Sequence, residues 1–385
     1  MLIKNVKIET ITKGIIEQGF IEINGKVIRA LGTMEQCPQM YDGESLDGEG
    51  ACAYPGFIDG HTHLGMFGDS LGFEADDGNE ETDPSTPHLR AIDAINPLDY
   101  CFQEALDGGV TSVVTGPGSA NPIGGQMAAI KTFGHCVDSM IIKAPSCMKF
   151  ALGENPKTVY NGKSQTPMTR MATAAIIREQ LAKTKKYLRD KDEARADEDA
   201  EEPEFDMKCE ALIPLLNGEI TAQFHAHRCD DIFTAVRIAN EFGIPFTIAH
   251  CTQGHLVADE LATEGISALC GPILCDRSKP ELKELTPASP GILSKKGILT
   301  AIITDHPVIP IQYLPLCAGL AVREGMEYRE ALKAITINPA IINGIADRVG
   351  SLEAGKDADI VLFREDPLTV AAKPVAVFVN GKRAR

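Results

Sequence analysis

The sequence has no tryptophan, only 5% aromatic residues, and fewer basic than acidic side chains. The missing tryptophan leads to no structural conclusion. Lys and Arg number 37 against 54 Asp and Glu, a formal charge of −17. A nucleic-acid partner calls for a basic footprint, and this balance argues against one. No apolar run is long enough to span a bilayer, so no membrane partner is expected. Met1-Leu2-Ile3-Lys4-Asn5-Val6 alternates and carries charge, unlike a secretion signal. The 11 cysteines are odd in number and irregularly spaced, and Cys101, Cys251 and Cys270 lie in apolar runs. They read as reduced thiols of a cytoplasmic protein, not as a disulfide frame.

What is present suffices for a large folded unit. Of the 385 residues 44% are hydrophobic, enough for a full core. The length suits one large barrel with a smaller appended module. Residues 1–52 read as short strands, with Asn24-Gly25 as a hairpin turn. Residues 358–363 and 375–379 match them in kind. Neither end can close a sandwich alone, so residues 1–53 and 346–385 are expected to build one small β-sandwich together. Between them strands and helices alternate. Residues 97–106 read as a helix stopped by Gly108-Gly109, followed by a strand at 110–115. A strand at 220–224 precedes a helix at 230–242, with Ile232, Val236, Ala239 and Phe242 on one face and Gly243 as its stop. Strands at 244–249, 266–269 and 298–303 and a helix near 255–263 continue the rhythm. This predicts an α/β fold, a (β/α)8 TIM-like barrel of parallel strands over residues 54–345. Residues 183–204 interrupt it and read as an exposed helix and mobile acidic loop.

Function in such barrels sits where strands end. His61 and His63 end the run Ala53-Tyr54-Pro55-Gly56-Phe57-Ile58-Asp59-Gly60. Residues i and i+2 of a strand share a side, so two imidazoles there can chelate one divalent ion. Lys149 follows Ala144-Pro145-Ser146-Cys147-Met148, and His225 follows a run from Ile220 to Phe224. His250 follows Ile244 to Ala249, and Asp305 follows Ile298 to Thr304. Five strand ends with metal-capable side chains are not expected by chance.

With these motifs in order, the chain resembles the amidohydrolase superfamily of metal-dependent hydrolases. The matching pieces are the stretch from Pro55 to His63, Phe224-His225-Ala226-His227, Ile248-Ala249-His250 and Thr304-Asp305. Thr336-Ile337-Asn338-Pro339-Ala340 and the stretch from Gly350 to Asp359 extend the likeness over essentially the whole chain. Within the superfamily it is most similar to the branch of imidazolonepropionase and the Xaa-Pro or Xaa-Arg dipeptidases. The resemblance implies metal ligation by His61, His63, His225, His250 and Asp305, from the first, fifth, sixth and eighth strands. Lys149 falls where two-metal members carry a carboxylated lysine, with Lys143 as a weaker alternative. Without carboxylation, His61, His63, His225 and Asp305 remain as a one-metal site. Zinc suits this donor set first, with manganese, iron or cobalt open.

The activity so implied is hydrolysis of a C–N bond in an amide, cyclic amide or dipeptide-like small molecule bearing a carboxylate. The ion lowers the pKa of its water, and Asp305 serves as acid and base. His227, or His250 if it is not a ligand, stabilises the oxyanion. The alternatives are a deaminase of the same superfamily or a scaffold that has lost its chemistry. His227, Arg228, Arg277 and His255 are the candidate substrate contacts, the arginines facing a carboxylate. His306 reads as packing, and His88 and His135 have no supporting context. The loop 116–126 supplies turns and free amides but lacks a phosphate-loop ending. The acidic stretch 65–90 (Asp69, Glu74, Asp76, Asp77, Glu80, Glu81, Asp83) caps the site, repels anions or is simply solvated. Members of the superfamily often dimerise, so a homo-oligomer is expected.

Overall fold

The chain changes sheets at Gly56, between two apolar runs, Cys52–Pro55 and Phe57–Thr62. A Cβ on Gly56 would meet Thr111 Oγ1 at 2.0 Å, so only glycine fits there. In the computed structural model, which describes residues 1–68, 72–197 and 199–385, the second run opens an eight-stranded barrel. Asp69 and Glu198, from the two acidic stretches, lie outside the described residues. The barrel strands are Phe57–Thr62, Val110–Thr115, Ile123–Lys131, Ile141–Ala151, Thr221–Ala226, Phe246–His250, Ser267–Cys270 and Leu299–Ile302. They neighbour one another in chain order and are called first to eighth below.

The pairing is parallel throughout except at the third strand, which runs antiparallel to both neighbours. This corrects the all-parallel expectation. Only residues 116–122 separate the second strand from the third, and a parallel crossover needs about a dozen residues or more. The expected loop 116–126 is therefore shorter, its last four residues belonging to the third strand. Lys149 likewise sits inside the fourth strand, not after it.

The first and eighth strands end the hydrogen-bonded path, so the barrel is nearly closed. Asp59 bridges the seam, its Oδ2 accepting from Thr304 N at 2.9 Å and Thr304 Oγ1 at 2.6 Å. His63 N also donates to the His306 carbonyl at 2.9 Å.

Helices cover the outside. Cys229–Phe242 buries Ile232, Ala235, Val236, Ile238 and Ala239 and ends at Gly243 in the left-handed conformation, φ 67°. Each large aliphatic side chain buried there stabilises by about 1.5–3 kcal/mol. Arg170–Ala196 starts well before the acidic segment because Thr169 caps it, accepting from Ala172 N at 3.1 Å. Its buried stripe is Thr173, Ala174, Ile177, Leu181, Thr184 and Tyr187. Among the described residues no helix is long and apolar enough to cross a membrane.

The strands of the two chain ends lie in one continuous hydrogen-bonded sheet, where a sandwich was expected. Its order is Lys382–Arg383, Pro374–Val379, Ile360–Phe363, Cys52–Pro55, Leu2–Glu9, Ile15–Asn24 and Val27–Thr33, with Ser45–Asp47 beside Leu2–Glu9. Cys52–Pro55 joins the ends, parallel to Leu2–Glu9 and antiparallel to Ile360–Phe363. Ile3, Ile8, Ile21, Ile360 and Phe378 share a core on this sheet. The barrel is tied to it by buried Lys131 of the third strand, whose Nζ lies 2.6 Å from Asp359 Oδ2 and 2.9 Å from Asp357 Oδ2.

Candidate metal centre

Alternation along the strands turns a few polar residues into the barrel mouth. His61 and His63 come from the first strand and its exit, Lys149 from the fourth strand, and Gln223 and His225 from the fifth. His250 ends the sixth strand, and Asp305 follows the eighth. His61 and Lys149 are fully buried, His225 and His250 nearly so. His250 and Asp305 leave their strands at φ 72° and 55°. Such left-handed backbone costs about 1–3 kcal/mol per residue and clusters at functional sites.

Hydrogen bonds fix the tautomers. The Gly116 carbonyl lies 2.7 Å from His63 Nδ1, and the Gly271 carbonyl 2.7 Å from His250 Nδ1. A carbonyl only accepts, so each Nδ1 carries the proton. His61 Nδ1 donates to Gln223 Oε1, and Gln223 Nε2 donates to the Gly60 carbonyl at 3.3 Å, which orients the amide. In the neutral rings every Nε2 then presents a lone pair inward. Burial, with Lys149 beside it, lowers His61 to about 3, so this ring is neutral at pH 7. Burial lowers His250 to about 4 and holds His225 and His227 well below the usual histidine range.

These lone pairs face a carboxylate. Asp305 Oδ1 lies 3.2 Å from His61 Nε2 and 3.4 Å from His63 Nε2. Lys149 Nζ lies 3.1 Å from His61 Nε2, and burial brings its ammonium down to about 8. Among the described residues, Nε2 of His225 and of His250 has no hydrogen-bond partner. An unmet buried polar group costs about 1–3 kcal/mol, against a total stability of about 5–15 kcal/mol. So many inward lone pairs around one acid fit a divalent cation and have no structural use without one.

His227 is gathered here as well. Donor atoms of His225, His227 and His250 lie within 4.8 Å of one another, as do those of His61, His63 and Asp305. The His227 and His250 rings are stacked, 4.4 Å apart and 13° from parallel. An imidazole lone pair lies in its ring plane, so stacked rings cannot both point at one ion. His225 stands at 72° to His250 and at 79° to His227 and can pair with either.

The other expected contacts are placed as follows. Arg228 pairs with Asp230 at 2.8 Å and lines a cleft of 290 Å³ with Arg170, Lys157 and Glu281. The Arg277 guanidinium donates to the Lys283 and Leu285 carbonyls of its own loop, at 3.1 and 2.8 Å. This binds it to the loop, and it is not gathered with the imidazoles. His255 Nδ1 is bonded to the Thr252 carbonyl at 3.0 Å, in the turn Gly254–Val257. The acidic stretch forms much of a larger cavity, 730 Å³, through Asp76, Asp77, Glu80 and Glu81. Gly124 joins that lining, and a Cβ on it would touch Lys149 Cγ at 3.4 Å.

Three participants escape the sequence reading. Gln223 shares the inward face of the fifth strand with His225, so the alternation Gln223-Phe224-His225 carried a signal. Ser119 Oγ, from the loop after the second strand, meets His225 Nδ1 at 2.8 Å. Glu281, 1% exposed, approaches His225 and His227 from the loop after the seventh strand. Neither loop has a periodicity that aims a side chain.

Comparison with known proteins agrees with this architecture. Residues 210–384 match the model of the Amidohydrolase family. The amidohydrolase tasK of Hapsidospora irregularis is 34% identical over 362 residues, covering 87% of this chain, which spans 36% of that protein. A probable imidazolonepropionase of Homo sapiens is 24% identical, covering 87% of this chain and 81% of its own. The crystal structure of an amidohydrolase from Thermotoga maritima MSB8 superposes with a TM-score of 0.95 at 41% identity, covering 100% of this chain and 99% of that one. Identity at that level over two whole chains carries family membership with the fold: the chain belongs to the amidohydrolase family, hydrolases that act on carbon–nitrogen bonds.

Proposed function

We propose that the chain is a metal-dependent amidohydrolase that cleaves a C–N bond in an amide, cyclic amide or dipeptide-like substrate bearing a carboxylate. The observation that carries this reading is Asp305 Oδ1 set against the inward Nε2 atoms of His61 and His63. Held by His61, His63 and Asp305, a divalent ion, zinc first by the donor set, would supply acidified water and Lewis acidity for the scissile carbonyl. Asp305 is adjacent, so its carboxylate takes the proton of the water and returns it to the leaving nitrogen. His227, whose Nδ1 can accept from the Thr252 hydroxyl so that Nε2 carries the proton, stabilises the oxyanion. Lys149 is the residue for carboxylation in a two-ion form, where His225 and His250 join the ligands; without carboxylation His61, His63, His225 and Asp305 hold one ion. Arg228 meets the substrate carboxylate from its cleft. In this reading residues 54–345 carry the chemistry, and residues 1–53 with 346–385 form the supporting β module. The likeness to a probable imidazolonepropionase supports a ring substrate with a carboxylate tail.

The test is a panel of N-acyl amino acids, dipeptides and lactams with Asp305→Asn as the control. The variant should keep bound metal and lose about 10²–10⁴-fold in kcat. Full turnover in Asp305→Asn with metal bound removes the assigned role.

A further inference from the structure

We propose that Ser289 is a positioning residue for His227, acting through one internal water and the Thr252 hydroxyl. This rests on the preceding reading only in giving His227 Nε2 to the oxyanion. That task needs a proton on Nε2, so Nδ1 has to accept one. The neighbour of Nδ1 is Thr252 Oγ1 at 2.7 Å, and a hydroxyl can face such a nitrogen as donor or as acceptor. Which of the two it does depends on what else the hydroxyl meets. The backbone holds the pair together. Cys251 N donates to the Ala226 carbonyl at 3.1 Å and Gln253 N to the His227 carbonyl at 2.8 Å, and Thr252 lies between them, 7% exposed. Glu281 Oε1, 3.6 Å from His227 Nε2, favours the same tautomer, because a carboxylate only accepts.

Thr252 also lines a cavity of 10 Å³ with His250, Gly271, Thr286 and Ser289. A space of about 10–15 Å³ holds one water, provided polar groups receive it. Ser289 is 5% exposed, and among the described residues its Oγ has no hydrogen-bond partner. A buried hydroxyl is costly in that condition, and a water in this cavity meets it. Other polar groups of the lining are engaged. The Gly271 carbonyl takes His250 Nδ1 at 2.7 Å. Thr286 Oγ1 accepts from Ala288 N at 3.3 Å, and the Thr286 carbonyl from Ser289 N at 3.2 Å. Among the described residues the Thr252 hydroxyl has His227 Nδ1 as its one partner, so its lone pairs are open to a donor. Ser289 donates to the water, and the water donates to Thr252 Oγ1. With that lone pair filled, the Thr252 proton goes to His227 Nδ1, each bond of the chain polarising the next. Nε2 then keeps the proton that it offers to the oxyanion.

Nitrogen-15 NMR of the zinc-loaded, histidine-labelled full-length protein reads the tautomer directly, with His227→Asn to assign the signal. In the wild type His227 should carry its proton on Nε2. Ser289→Ala and Thr252→Val should each move protons onto Nδ1, while Thr252→Ser, which keeps the hydroxyl, should retain the wild-type tautomer. On the best substrate of the panel, kcat should fall about 10-fold in Ser289→Ala and about 100-fold in Thr252→Val, with KM unchanged and Thr252→Ser close to wild type. A crystal structure of the wild type should show one water bonded to both hydroxyls, and wild-type crystals without it overturn the proposal with no variant needed. A proton on Nδ1 in the wild type overturns it, and so does a wild-type tautomer kept in Ser289→Ala, whatever happens to turnover. A shifted tautomer in Ser289→Ala with kcat unchanged upholds the positioning of His227 and removes His227 from the oxyanion, so the two readings fail separately.

Discussion

At the scale of the residue, a metal centre is set as much by the bond behind an imidazole as by the imidazole. Gln223 locks His61 with Nε2 inward, and its own amide is locked by the Gly60 carbonyl. Gln223→Leu should keep the ring but free the tautomer, weakening metal binding about 10–100-fold in a competitive chelator titration. Unchanged affinity would show that packing alone orients the ring. The ligand-capable side chains at strand exits were legible in the sequence because period-2 alternation and apolar runs fix which way they face. Glu281 and Ser119 were not, because loop residues obey no such period. The bonds of the Arg277 guanidinium were hidden for the same reason, since only the folded loop brings the Lys283 and Leu285 carbonyls near.

At the scale of the element, caps and connection lengths decide what the periodicity leaves open. Asp206 caps the helix Met207–Leu216, accepting from Lys208 N and Cys209 N and pairing with Lys183 at 2.7 Å. Burial opposes its ionisation, but the Lys183 bond and the capped amides outweigh it and lower the carboxyl to about 2. The unfolded value is near 3.9. Between these values the unfolded chain binds more protons, so stability falls as the medium is acidified. Asp206→Ala should cost about 1 kcal/mol at neutral pH. Urea midpoints of the two proteins should converge as pH drops from about 4 to about 2, and a gap that persists at pH 2 argues against the charge. The reversed third strand was open to deduction from the seven-residue connection before it, whereas the rhythm of strands alone points to a parallel order. The helix Arg170–Ala196 was half legible: its acidic end stood out, and its capped, half-buried start did not.

At the scale of the whole molecule, barrel and terminal sheet are held by charge as well as by apolar contact. Lys131, 1% exposed, meets Asp357 and Asp359, and Asp357 also receives Arg348 at 2.8 Å. Lys131→Met leaves two acids buried at the junction and should cost about 3–5 kcal/mol in urea unfolding. A loss under about 1 kcal/mol would mean that solvent reaches the pair. That both ends build strands was readable from composition and turns. That they share one sheet was not, because only Cys52–Pro55, lying between the earliest and latest strands, decides it. This strand also sets a timetable for synthesis. When the ribosome has made Leu2–Glu9 and Cys52–Pro55, one flank of Cys52–Pro55 has nothing to bond with until more than 300 further residues have emerged. The nascent protein therefore carries an unfinished, adhesive border until Ile360–Phe363 emerges.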